Sequence, residues 1–276
     1  MTDITAAAVK ALRDRTGLPM MDCKRALTEA GGDQNQAVEL LRKSGAKTME
    51  KRAGRATSAG RIAVYADLDA GVGAMVDLRC ESAPVAANEE FVQLAADLAT
   101  QLATGPGAAS PEELLDQPSP GKSGQTLKQQ FDELNNRIRE VFKLERIERI
   151  DGPCGGYAHH NGASGVLLHV EGGNEELAKD ICMHIAAMRP TVLAKEDVDP
   201  DAVAKEREIL GEAARKEGKP EKIIDKMVEG RMRNFYAEQC LNEQPFVKDD
   251  KQAVAKVAQA AGMKIVRFLH WELGKE

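Results

Sequence analysis

Gly73-Ala74-Met75-Val76-Asp77-Leu78-Arg79-Cys80 reads as a strand and leads, after a short connection, into Asn88-Glu89-Glu90-Phe91 and a helix through Leu94, Leu98 and Leu102. The same order returns later in the chain. Gly165-Val166-Leu167-Leu168-His169-Val170 reads as a strand, and Asn174-Glu175-Glu176-Leu177 opens a helix through Ile181, Met183 and Ile185. Each asparagine supplies a helix cap, and the glutamate pairs favour the first turn through the helix dipole. A further strand candidate precedes each copy, residues 61–68 before the first and 156–159 before the second. Two hairpin-plus-helix units predict antiparallel sheets with helices on one side, an α+β fold. A duplication of only two copies predicts pseudo-symmetric subdomains rather than a solenoid.

Composition bounds the rest. A chain of 276 residues is long enough for two or three folding units with a sizeable core. It has no apolar run long enough to cross a bilayer and no charged-then-apolar start of the signal-peptide kind, so a cytoplasmic address and no membrane partner are expected. The five cysteines (Cys23, Cys80, Cys154, Cys182 and Cys240) are scattered, odd in number and never spaced as Cys-x-x-Cys. That pattern fits buried thiols in a reducing compartment better than disulfides or a zinc site. A net charge of −6 argues against a phosphate-tracking surface, and one tryptophan, three tyrosines and six phenylalanines leave few rings on which bases stack. Direct nucleic-acid binding is not expected.

Outward from the duplicated core, the N-terminal segment reads as three short helices. Thr5 caps the first, which runs through Val9, Leu12 and Arg13 and stops at Gly17. The second starts within Thr16-Gly17-Leu18-Pro19-Met20-Met21-Asp22-Cys23-Lys24-Arg25-Ala26-Leu27, with Pro19 at its first helical position. Met20, Cys23, Leu27 and Ala30 have helical spacing for a buried face, so Met20 is expected to pack inward. Met21 falls on the polar side with Lys24, Arg25 and Thr28, where an exposed methionine offers adaptable contact area; the alternative is that it covers a seam between helices. Gly31-Gly32 reads as a turn, Asp33 as a cap, and Ala37, Val38, Leu40 and Leu41 as a third helix stopped at Gly45.

Residues 1–46 are therefore read as a three-helix module and 47–60 as a basic linker or short frayed helix, with an RNA patch there as the minor alternative. The core spans 61–192. Within it, residues 104–124 are rich in Gly, Pro and Ser and predict a surface loop or partial disorder, followed by a helix over 125–142 and a strand over 141–150. Residues 193–241 predict a projecting helical hairpin, 200–216 and 220–241, turned at Gly218-Lys219-Pro220. Val203, Ile209, Leu210 and Ala213 are expected to face Ile223, Ile224, Met227 and Phe235. Residues 242–276 return to the core sheet through a helix over 251–261 and a strand over 263–273.

The N-terminal segment, with Met20-Met21-Asp22-Cys23-Lys24 after a threonine-glycine turn, resembles the ubiquitin-associated-like module that opens bacterial elongation factor Ts. The sheet-and-helix duplication resembles that family's core. Lys226-Met227-Val228-Glu229-Gly230-Arg231-Met232 with Gln244-Pro245-Phe246-Val247 is a second match, so the resemblance spans essentially the whole chain. It implies guanine-nucleotide exchange on elongation factor Tu, a partner-binding rather than a catalytic role, and no cofactor. It further implies a homodimeric contact through the hairpin.

The resemblance assigns partner contacts residue by residue. Arg13, Met20, Met21 and Lys24 give the first grip. Tyr157-Ala158-His159 matches the family's Tyr-x-His, whose histidine contacts the GTPase, with His160 as a close competitor. Ser82-Ala83-Pro84-Val85 stands where many members carry Thr-Asp-Phe-Val, whose aspartate and phenylalanine reach toward the GTPase magnesium site. A methyl group and a pyrrolidine here replace a carboxylate and a ring, so a rigid apolar wedge is kept and charge-based disruption is not. Longer members continue past the last strand into a further helical module, a contact that the ending at Gly274-Lys275-Glu276 would lack.

Other chemistries find little support. The sequence contains no Gly-x-Ser-x-Gly, no His-Glu-x-x-His and no phosphate-binding loop. His159 and His160 are adjacent, which on extended chain points them to opposite sides and prevents chelation. Gly155, Gly156, Gly162 and Gly165 read as turn punctuation in a hairpin. His184, on an apolar helix, reads as a satisfied core histidine, and His169 as lying on the second face of its sheet. The rival to exchange is a non-catalytic adaptor combining a ubiquitin-associated-like binder with a dimerising hairpin; a metalloenzyme built on His159-His160 is third.

Overall fold

A computed structural model describes residues 4–218 and 220–275. Its core has four layers, helix, sheet, sheet and helix, and the duplication in the sequence is their cause. In the first copy β1 (Ala59–Asp67) and β2 (Val72–Cys80) form a hairpin and β3 (Lys143–Asp151) adds antiparallel to β2. In the second, β4 (Cys154–Ala158) and β5 (Ser164–Glu171) form the hairpin and β8 (Lys264–Glu272) adds antiparallel to β5. The two are separate three-stranded sheets, so the last strand returns to the second sheet alone.

Strand alternation sorts the side chains between layers. Ala74, Val76, Leu78 and Cys80 of β2 face α5 (Glu89–Thr104), where Phe91, Leu94, Leu98 and Leu102 are fully buried, each worth about 1.5–3 kcal/mol. Val166, Leu168 and Val170 of β5 face α8 (Glu175–Met188) through Ala178, Ile181, Cys182 and Ile185. The opposite faces meet each other: Ile62, Met75 and Ile150 of the first sheet pack on Cys154 and Leu167 of the second. Asn88 accepts from the amides of Glu90 and Phe91, and Asn174 from that of Leu177, as the two capping positions predict.

The meeting of the sheets corrects the reading of the glycines. Gly155, Gly156 and Gly165 lie within strands, and only Gly162 belongs to the turn. A Cβ on Gly156 would fall 2.8 Å from the Ala66 Cβ and the Val64 Cγ1, and one on Gly73 would fall 2.6 Å from the Leu167 Cδ1. These glycines let two sheets approach more closely than side chains would allow.

The N-terminal module comprises α1 (Ala6–Thr16), α2 (Met20–Glu29) and α3 (Gln34–Glu50) around Val9, Leu12, Cys23, Ala26, Leu27, Ala37 and Leu41. Thr5 caps α1 through the Ala8 amide at 3.2 Å, and Gly17 ends it in the left-handed conformation. Asp33 caps α3 through the Asn35 and Gln36 amides. Pro19 takes the cap position of α2, with ψ at 143°, one residue earlier than expected. Gly45 does not stop α3. It lies inside the helix, where a Cβ would fall 2.3 Å from the Asn136 Oδ1, so its smallness serves close packing on α7 (Leu127–Ile138). The first residues read as linker are thus the last turn of α3, followed by turns before β1.

Residues 104–124 are built rather than loose. Ser110 caps α6 (Pro111–Leu115), and buried Ser119 donates its hydroxyl to the Gln130 Oε1 at 2.6 Å. Gln130 in turn donates to the buried Asp97 at 2.8 Å. Polar side chains that look solvated in sequence satisfy one another inside the fold. The helix expected over 125–142 is shorter, because Thr126 and Gln129 form a capping box at one end and Arg139 adopts the left-handed region at the other, with φ at 66°. The intervening turn between Cys80 and α5 is itself one turn of helix, α4 (Ala83–Ala86).

The hairpin consists of α9 (Pro200–Lys216) and α10 (Glu221–Gln239), packed through Ala214, Ile224, Val228 and Met232. Ile209 and Ile223 do not face the partner helix as expected; they are exposed. The turn at Gly218-Lys219-Pro220 lies in part outside the described residues. After α10, β6 (Pro245–Phe246) and β7 (Asp249–Ala253) form a short hairpin that the sequence reading missed, and α11 (Val254–Ala260) is correspondingly shorter than expected.

Candidate functional site

α2 presents an outer face of Met20, Met21, Lys24 and Arg25. Met21 is 70 % exposed, as its polar side of the helix predicts, but Met20 is also exposed, at 44 %, and does not pack inward. The stripe Met20, Cys23, Leu27 is continuous in sequence, but its first residue belongs to the helix's opening turn, beyond the reach of the module's small core. Arg13 is exposed on α1. Asp22, on the opening turn of α2, binds both Arg25 and Arg139.

Ser82 occupies the cap position of α4, and its hydroxyl does not serve the helix. It donates to the Glu140 Oε1 at 2.5 Å, while the Ser82 amide donates to the Glu140 Oε2 at 3.0 Å. Ala83 and Pro84 are exposed, Val85 packs on the first core cluster, and Ala86 is buried. Glu81, beside them, accepts from the Val141 amide at 2.8 Å and from Arg55 at 3.1 Å. The Val141 amide foremost, and then Arg55, hold the Glu81 carboxyl below its ordinary range. Burial, and then the Glu140 carboxylate, push the Cys80 thiol up to about 11.

His159 lies half-buried at the β4–β5 turn. Its Nδ1 is 2.8 Å from the Asn161 Oδ1, which also accepts from the Ala163 amide at 2.9 Å, so Nδ1 carries the proton and Nε2 is left as the acceptor. His160 is exposed, and its ring centroid is 4.3 Å from that of His159. The rings do not point apart as on an extended chain, because the strand has already ended and the backbone turns at His160 and Asn161. Among the described residues no group of three His, Cys, Asp or Glu side chains is placed to hold a metal ion.

One end of β1 joins these elements. Ala59 pairs with Cys80, which leads into Ser82, and the Ile62 amide donates to the Gly162 carbonyl at 2.8 Å. Arg61 reaches the His160 carbonyl at 2.9 Å. The turn carrying His159 and the turn carrying Ala83 and Pro84 therefore flank the same strand start, and α3 enters that strand from the N-terminal module. Arg139 and Glu140, adjacent at the end of α7, bind Asp22 and Ser82 respectively. Sequence reading missed Arg139, Glu140 and Glu81. Nothing local marks them, since each looks like any solvated charge and its partner lies far along the chain.

His184 is fully buried, as a satisfied core histidine should be. The Val247 amide donates to its Nδ1 at 3.2 Å, which places the proton on Nε2, 2.9 Å from the Gln244 Oε1. It ties α8 to the segment that follows the helical hairpin. All five cysteines are buried free thiols.

The family model described as Elongation factor TS matches residues 81–275. The protein named Elongation factor Ts of Methylococcus capsulatus is 42% identical over 275 residues, covering 99% of this chain and 92% of that one. Its namesake in Thioalkalivibrio sulfidiphilus is 40% identical over 275 residues with the same coverage, and that of Kineococcus radiotolerans is 40% identical over 280 residues, covering 99% of this chain and 100% of that one.

Proposed function

Since the chain belongs to the elongation factor Ts family and is a translation elongation factor of the nucleotide-exchange kind, we propose that it releases GDP from elongation factor Tu by binding alone, with no covalent step. An exchange factor binds the nucleotide-free GTPase more tightly than the GDP-bound form, and linkage then weakens GDP affinity by the same factor. Contacts from several places perform this work. Arg13, Met20, Met21 and Lys24 grip, Pro84 and Val85 with Ser82 and Ala83 wedge, and His159 presses on the partner.

The observation that supports this reading is the convergence of the two turns on the start of β1, with α2 tied to the same place through Arg139. A rigid arrangement of separated contacts lets a partner be strained between them. The units then divide the labour: residues 1–46 grip, 61–192 wedge and press, and 193–241 project. Such a factor acts in the cytoplasm with its GTPase. Among the described residues no helix is long and apolar enough to cross a membrane.

The hairpin carries a second copy of the chain in this reading. Ile209 and Ile223 are exposed large apolar side chains on a hairpin whose own core is thin, which favours an apolar partner surface. Sedimentation of the protein and of an Ile209→Lys, Ile223→Lys variant tests it; a monomeric parent refutes the dimer, and a variant as dimeric as the parent refutes the contact through these side chains.

Stopped-flow release of fluorescent GDP from elongation factor Tu tests the function itself. Acceleration that saturates with this protein supports exchange. Binding to the GTPase without acceleration would leave the adaptor reading in its place.

A further inference from the structure

We propose that Glu140 is a positioning residue for exchange, which sets the Ala83-Pro84 turn and, with its neighbour Arg139, makes that turn and the N-terminal module one mechanical unit; this rests on the exchange reading above. α4 is a single turn of four residues, too short to hold its own geometry. The serine at its start gives it no side-chain cap. The turn is therefore oriented from outside, and Glu140 does so with both oxygens, one on the Ser82 amide at 3.0 Å and one on its hydroxyl at 2.5 Å.

The clasp is reciprocal. Glu81 accepts the Val141 amide at 2.8 Å, so each of the two segments offers a carboxylate to the other's backbone. Residue 139 extends the connection. Its left-handed backbone, with φ at 66°, accompanies a guanidinium bound to Asp22, next to Met21, while its carbonyl accepts from Arg52 at 2.6 Å. The stretch 139–141 thus touches the turn, the segment before β1 and the opening turn of α2 at Asp22.

Position matters more here than in a chain with larger groups at these places. Ala83 has no charge and Pro84 no aromatic ring, so the turn acts through where a methyl and a pyrrolidine are held. A displaced turn would therefore lose its contact with the partner, having no charge or long side chain with which to reach it. Glu140 does not need to touch the partner for this; it acts through Ser82.

The test measures fluorescent-GDP release from elongation factor Tu against concentration of the full-length chain. For Glu140→Ala the saturating rate is expected to fall about tenfold, with the half-saturating concentration within about twofold of the parent. Glu140→Gln, which keeps an acceptor for the amide and a partner for the hydroxyl, is expected to restore most of the rate. Should Glu140→Ala fail to fold, Ser82→Ala carries the test, with an expected loss of about threefold in saturating rate alone. Parental saturating rates in Glu140→Ala and Ser82→Ala, no recovery in Glu140→Gln, or a loss confined to half-saturation, overturn the proposal while the parent's activity upholds exchange. A parent that does not accelerate release overturns the exchange reading and this proposal with it.

Discussion

Gly165 of β5 lies so close to Ile62 of β1 that a methyl group on it would fall 2.5 Å from the Ile62 Cγ2. The two residues belong to different sheets, and their contact fixes how far apart the sheets stand. Ile62 also anchors the His159 turn through its amide. Gly165→Ala is expected to destabilise the protein by about 1–3 kcal/mol, since Val64 and the Met75 sulfur also crowd the site. Urea unfolding of the variant measures the loss, and an unchanged midpoint would show that the sheets separate freely.

Asp77 is fully buried, bound by Arg79 Nε at 2.5 Å and by Arg146 Nε at 3.2 Å. Arg146 also lies 4.4 Å over the Trp271 ring of the second sheet. Asp77→Ala leaves two guanidinium groups around an empty place, one of them buried, and is expected to cost about 3–5 kcal/mol. Thermal unfolding checks this directly.

Met21 is 70 % exposed whereas Cys23, two residues on, is fully buried. Met21→Ala is expected to leave stability within about 0.5 kcal/mol of the parent and to weaken complex formation with elongation factor Tu. Cys23→Ala should do the reverse, lowering stability through the cavity it leaves. Parallel melting and GDP-release titrations distinguish them, and the opposite order removes Met21 from the interface.

Replacing Ser82-Ala83-Pro84-Val85 by Thr-Asp-Phe-Val introduces the carboxylate and ring that this chain lacks. The GDP off-rate in the complex is expected to rise, and to become more sensitive to excess magnesium. The same off-rate with and without added magnesium, in both proteins, would mean that the turn does not work near the metal.

Burial holds the His184 imidazole below its ordinary pKa, and burial does the same for His270. Above the unfolded value, about 6.5, both states are neutral and the stabilising hydrogen bonds are fully present. As pH falls below it, the unfolded chain takes up protons that the folded one resists, so stability declines until the folded pKa is passed. Urea midpoints measured from pH 8 down to 5 are expected to fall, and more steeply for the parent than for His184→Gln. His270 contributes to both, so the difference isolates His184.

Caps, strands and the duplication were legible because they are local. Thr5, Asp33, Asn88 and Asn174 satisfy amides two or three residues away, and the alternation in β2 and β5 records which faces are buried. Gly17 and Gly162 were read correctly as turn residues, each with positive φ. Gly45 and Gly165 were not, because smallness demanded by a neighbouring element looks identical in sequence to smallness demanded by a turn.

The exposed faces of the candidate site were legible in part. Met21 declares itself by its polar companions, while Met20 misled, because helical spacing cannot tell where a module's core ends. His159 and the turn at residues 82–85 came from resemblance rather than from pattern.

By itself the sequence determined the α+β class, the paired subdomains and the helical module, since propensity, capping and hydrophobic period act over a few residues, while the family was legible only through the resemblance of its motifs. Tertiary structure alone decided how the sheets face each other, that residues 104–124 are ordered, and that Arg139 and Glu140 join α2 to the Ser82 turn. Those outcomes depend on charges and small side chains meeting partners as far as 117 residues away, and no local pattern encodes such a meeting.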